Sequence, residues 1–105
     1  MPEDVVTKPA YFTVQIKTNN LEGLVTRYAH AAIASLMSFG GEMIAGTPVP
    51  TVLEGHWDGS WAAILRFPSI DAAQRWYHSS EYQPLKELRM RELTESGQIL
   101  LVEGL

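Results

Sequence analysis

Trp61-Ala62-Ala63-Ile64-Leu65-Arg66-Phe67 is apolar at both parities; Tyr11-Phe12-Thr13-Val14-Gln15-Ile16 alternates cleanly, and Ile99-Leu100-Leu101-Val102 again does not. Successive side chains of a strand point to opposite faces, so a sheet covered on one side only shows strict alternation. In the 61–67 run Trp61, Ala63 and Leu65 share one parity, while Ala62 and Ile64 share the other. Whichever set meets the helices, the remaining set needs cover. A second copy of the chain is the expected cover: burying ~400 Å² of apolar surface per chain yields about 10 kcal/mol before association costs, enough to favour a closed two-fold homodimer through the open sheet face.

Working outward from these strands, Phe12, Val14 and Ile16 fall on one face of the first strand and Tyr11, Thr13 and Gln15 on the other. Asn19 or Asn20 can accept from the free amides of a following helix, in which Leu21, Val25, Tyr28, Ala32 and Leu36 recur at three or four residues. Gly40-Gly41 ends that helix. Residues 42–45 and 51–54 read as two short extended segments or one bent strand, with Pro48 and Pro50 confining this piece to an edge or a loop. Asp58-Gly59 signals a hairpin turn into the 61–67 strand. Ser69 and Asp71 open a second helix, Ser80 and Gln83 have capping-box spacing for a third reaching about Thr94, and 98–103 is a last strand. The order predicts an α+β fold: a ferredoxin-like antiparallel sheet with helices on one face only. Residues 1–9, bracketed by Pro2 and Pro9, are expected to form a loose arm, and 10–105 a single domain.

Composition narrows the function classes. The chain has 105 residues, no Cys and a net charge of -4, with eight Lys and Arg scattered rather than striped. That balance argues against nucleic acid as a partner, and the missing Cys removes disulfides, thiolate nucleophiles and thiolate metal sites. No run approaches a membrane span and no leader-like segment opens the chain, so a cytoplasmic location without membrane partners is expected.

The stretches Gly40-Gly41, VLEGHW (52–57), FPSIDAAQRWYHSSEY (67–82), LKELR (85–89) and LVEG (101–104) together resemble the DUF1330 family over about residues 10–105. The resemblance implies a dimeric α/β barrel of ferredoxin-like protomers, in a superfamily whose other branches include cofactor-independent monooxygenases, haem-degrading enzymes and muconolactone-isomerase-like proteins. The chain departs from the family pattern at Asn19-Asn20, usually Asp-Pro, and at Ala45, commonly Arg. If that Arg contacts an anion in relatives, this chain either lacks the contact or makes it with Arg66, Arg75 or Arg89 instead.

For chemistry, His56 beside Glu54 at a strand end is the first acid–base pair to consider, the alternative being a half-exposed turn histidine. Arg89 shares a helical stripe with Leu85 and Tyr82, where it is expected to contact either a bound carboxylate or enolate or a protein carboxylate such as Glu103 or Glu54. Arg66, between apolar strand neighbours, either closes a pocket or reaches out at the rim. Trp57, Trp61, Trp76, Tyr77, Tyr82 and Tyr28 can line an apolar cavity or simply fill core and interface. His30, His56 and His78 form no close-spaced metal pair, and no glycine-rich phosphate loop is present. The expected enzyme is therefore a cofactor-free isomerase, lyase or oxygenase using His56, Glu54 and Arg89; a non-catalytic ligand-binding or structural dimer is the alternative.

Overall fold

The computed structural model describes residues 7–105, so the arm expected over residues 1–9 lies mostly outside the described residues. The elements are β1 (Ala10–Lys17), α1 (21–37), β2 (Glu42–Thr47), β3 (Trp61–Phe67), α2 (Ile70–Tyr77), α3 (83–93) and β4 (Ser96–Glu103). They build one antiparallel sheet of four strands in the order β2-β3-β1-β4. Among the described residues no helix is long and apolar enough to cross a membrane.

Register decides which side chains share a face. Phe12 stands opposite Leu65 and Leu101, and this row, with Val14, Ile16, Ala63 and Phe67, turns toward the helices and is buried or half-buried. Thr13 stands opposite Ile64 and Leu100, and Tyr11 opposite Arg66 and Val102. On that second face Ile64, Leu100 and Val102 remain 38%, 50% and 50% exposed, the apolar excess that the mixed parity of β3 and β4 announced.

The barrel implied by the family resemblance is not what forms. The sheet is open, with β2 and β4 as free edges separated by β3 and β1, and helices cover one face. Four strands are about half the number that closes a small barrel around side chains. The β2 edge is also bulged between Met43 and Ala45 and runs into Pro48 and Pro50, which cannot donate to a ladder. For the same reason residues 51–54 do not pair. The pairing of β2 with β3 stops at Thr47 opposite Ala62, and 48–60 form a long loop in place of the hairpin expected at Asp58-Gly59.

Local chemistry fixes the helix ends. Asn20 Oδ1 accepts from the Gly23 amide at 2.9 Å and Ser69 Oγ from the Ala72 amide at 3.0 Å. Gly40 closes α1 at φ 82°, a left-handed conformation that a Cβ would disfavour. Gly41 follows against the Phe67 ring, where a Cβ would come within 2.5 Å. Ser80 does not cap α3. Ser79 Oγ accepts from the Tyr82 amide at 3.2 Å, and the Gln83 side-chain amide donates to the carbonyls of Tyr77 and Ser79, because the corner after α2 is too tight for the later serine to reach.

Candidate functional site

Between α1 and the sheet lies a cavity of about 260 Å³ whose walls are almost wholly apolar. It persists because the positions facing it are small where α1 crosses the sheet: Ala29 and Ala32 on the helix, Ala63 on β3. Trp76, Tyr77 and Tyr82 wall it from the α2–α3 side, and Trp61 from the start of β3. The Trp76 and Tyr82 rings stack at 4.2 Å between centroids, and the indole Nε1 donates to Ser35 Oγ at 2.9 Å, which ties α2 to α1.

One polar cluster breaks the apolar wall. The Tyr28 and Tyr82 hydroxyls share a hydrogen bond of 2.5 Å, joining residues far apart in the chain. Behind them is Arg89, only 4% exposed, its guanidinium 5.9 Å from the Tyr28 ring centre. Tyr28 and Arg89 both sit in widened helical turns, Val25–Ala29 and Arg89–Leu93, a local irregularity frequent at functional sites. An exposed Arg27–Glu92 ion pair at 3.1 Å bridges the two turns.

The electrostatics are unusual for a core. No carboxylate among the described residues lies within ion-pair distance of Arg89, and its Nε has no hydrogen-bond partner. Burial works against the charge of Arg89, but Tyr82 and then Tyr28 outweigh it, so the guanidinium pKa is raised. Burial, followed by the neighbouring Tyr82, pushes the Tyr28 phenol well above its ordinary range, keeping it a proton donor. Guanidinium groups cannot accept, and two phenols can satisfy only one proton between themselves. The cluster is thus rich in donors and short of acceptors, a setting for an anionic oxygen.

The other residues singled out from the sequence lie elsewhere. Glu54 and His56 are exposed on the 48–60 loop, and neither lines the cavity. His56 and Trp57 border a separate shallow groove with Lys17 and Asp58, which are themselves paired at 3.4 Å. Arg66 projects from the open sheet face, 3.7 Å from Glu42. Sequence reasoning missed His30, which lines the cavity while remaining exposed and so stands at its mouth. Its offset from the main stripe of α1 hid it; the alanines that leave the adjoining space were the available signal. Among the described residues no cluster of His, Asp and Glu is arranged to hold a metal.

Comparison with known proteins agrees with this architecture. A protein of unknown function from Rhodopseudomonas palustris superposes with a TM-score of 0.77 at 14% identity, over 93% of this chain and 83% of that one. SnoaB, a cofactor-independent oxygenase from Streptomyces nogalater, gives 0.61 at 17% identity, over 90% of this chain and 91% of SnoaB. A dabb family protein with a ferredoxin-like fold from Mesorhizobium loti gives 0.61 at 13% identity, over 94% of this chain and 99% of that one. These identities speak to the fold alone. No curated protein matches the chain. The family model described as domain of unknown function (DUF1330) matches residues 9–105, nearly the whole chain, and the protein therefore belongs to the DUF1330 family.

Proposed function

We propose that this protein is a cofactor-independent enzyme, of isomerase, lyase or monooxygenase type, that holds a small apolar molecule in the α1 cavity through its carboxylate or enolate oxygen. The observation that carries the reading is the buried Arg89, with no carboxylate among the described residues within ion-pair distance, set behind the hydrogen-bonded hydroxyls of Tyr28 and Tyr82. A developing oxyanion accepts the proton that the two phenols cannot share, and Arg89 polarises the pair from behind. Apolar walls exclude water, which strengthens each of these interactions. The fold that SnoaB shares supports the class without naming a substrate.

A thermal-shift comparison of small carboxylic acids with their primary amides tests the anion site, because a ligand of the native state alone raises apparent stability. Acids should stabilise the wild type and lose that effect in Tyr82→Phe. Equal shifts from acids and amides would dismiss the reading. A second reading, ligand binding without chemistry, is favoured by the exposed position of Glu54 and His56 outside the cavity, which leaves His30 as the one imidazole lining it among the described residues. Deuterium exchange at the α-carbon of a bound ketone separates the two: exchange above the buffer rate requires a base.

The same proposal includes a homodimer through the open sheet face, where Ile64, Leu100 and Val102 would leave water. Sedimentation at micromolar concentration should give twice the chain mass, and a lone protomer would refute it.

A further inference from the structure

The two edges of the sheet are not alike. β2 is bulged and leads into Pro48 and Pro50, features that discourage another strand from adding to it. β4 (SGQILLVE) has no proline, Lys or Arg, and its one charged residue, Glu103, stands at its end. Its register with β1 runs unbroken from Ser96 opposite Lys17 to Glu103 opposite Ala10, and the Gly104 amide donates to the Pro9 carbonyl at 2.7 Å. Hydrogen-bonded pairs alternate along an antiparallel ladder, so Gln98, Leu100 and Val102 turn their amides and carbonyls to β1. Those of Gly97, Ile99, Leu101 and Glu103 point outward, and among the described residues no strand takes them up. Beside this edge runs a groove between α2 and β4, lined by Tyr77 and His78 from the helix and by Ile99 and Leu101 from the strand. It leaves space on the helix side for the side chains of one more strand. Phe12, Tyr77 and Ile99 line both this groove and the apolar cavity, so a strand added here backs the cavity wall.

We propose that the outer edge of β4 pairs antiparallel with β4 of a second copy, about a two-fold axis between the two Leu100 residues, giving one continuous sheet across both chains. The strand itself selects this partner and register. Leu100 meets the partner's Leu100 on the open face, Ile99 meets the partner's Leu101 on the helix side, and Glu103 meets the partner's Gly97. Every outward amide and carbonyl is then paired, and apolar contacts form on both faces, where Leu100 and Val102 are otherwise half exposed. Slipping the register by two residues in one direction sets Glu103 against the partner's Glu95, a like-charge contact; slipping it in the other sets Glu103 against the partner's Ile99. A contact one strand wide lies at the small end of interfaces, so it forms at higher concentration than pairing through the open faces, which it leaves uncovered.

Disulfide trapping reads this register against a background free of Cys. Opposed residues of a non-hydrogen-bonded pair have Cα atoms ~4.5 Å apart, within the ~7 Å limit for a disulfide, so Leu100→Cys should give cross-linked dimers on mild oxidation at millimolar concentration. Sheets stacked face to face lie ~10 Å apart, so pairing through the open faces cannot supply that bridge. Val102→Cys alone sets its thiols ~14 Å apart along the strands and should not bridge, whereas the double variant Gln98→Cys/Val102→Cys should. In the unaltered protein, hydrogen exchange at the Ile99 and Leu101 amides should slow about tenfold when nine-tenths of the chains are paired, and should recover on dilution. Equal cross-linking of Leu100→Cys and Val102→Cys would overturn the proposal, as would Ile99 and Leu101 amides that stay unprotected at millimolar concentration. Protection independent of concentration, or protection without the Leu100→Cys bridge, would give the edge a different occupant and overturn the second copy.

Discussion

Arg89→Met separates a cation kept for a ligand from one kept for the fold. Methionine retains most of the aliphatic volume and removes the charge, leaving the 2.5 Å bond between Tyr28 and Tyr82 in place. The guanidinium is 4% exposed and its Nε is unpartnered, and relief of one such buried donor is worth about 1–3 kcal/mol. Against that stands the lost contact with the Tyr28 ring, 5.9 Å from the guanidinium carbon, at about 0.5–2 kcal/mol. The attraction of phenols for the cation is weak near neutral pH, where they carry no charge. The net expectation is a gain of about 1 kcal/mol, which for a domain of this size raises Tm by about 4–8 °C. Thermal unfolding followed by circular dichroism measures it. A small carboxylic acid that binds the wild type should, at about 100 times its Kd, stabilise it by about 2.7 kcal/mol and leave the variant unmoved. A loss of about 3–5 kcal/mol in Arg89→Met, the mark of breaking a compensated buried pair, would refute the reasoning and make Arg89 a structural residue.

Other perturbations probe separate parts of the molecule. Because the Tyr28 pKa is raised on folding, the folded state holds its proton more tightly; that contribution is complete below pH ~10 and is lost as pH rises further, so Tyr28→Phe should flatten the alkaline limb of a stability profile. Asn20→Ala removes the acceptor for the Gly23 amide and should cost about 1 kcal/mol in urea unfolding. Gly41→Ala drives a Cβ to 2.5 Å from the Phe67 ring and should cost about 1–3 kcal/mol by the same measurement. Leu100→Lys places a charge on the open sheet face and should convert the proposed dimer to a monomer in sedimentation while leaving the circular dichroism spectrum unchanged.

Much of the fold was legible because it is local or periodic. Alternation in β1 sorted Phe12, Val14 and Ile16 from Tyr11, Thr13 and Gln15, and the mixed parity of β3 announced the exposed apolar face. Asn20, Gly40 and Ser69 end or begin helices through their own side chains or backbone freedom, which act over three or four residues. Their reach is short enough to read in one dimension.

The site was less legible. Arg89 and Tyr82 share a helical stripe, but that stripe could not show that Tyr28, 54 positions from Tyr82, meets it hydroxyl to hydroxyl. Nor could it show that no carboxylate among the described residues comes within ion-pair distance of Arg89, since that depends on every element packed around it. Glu54 and His56 stand two apart in sequence, yet the prolines and the bulge of β2 release them into a loop away from the cavity. The sequence alone determined the strand faces, the helix ends and the ferredoxin-like order, because each follows from backbone sterics and side-chain period. Only the tertiary structure decided that the sheet stays open and that an apolar cavity lies under α1 beside a donor-rich cluster. Empty volume and unmet hydrogen bonds belong to several packed elements at once, and no single stretch of the chain carries them.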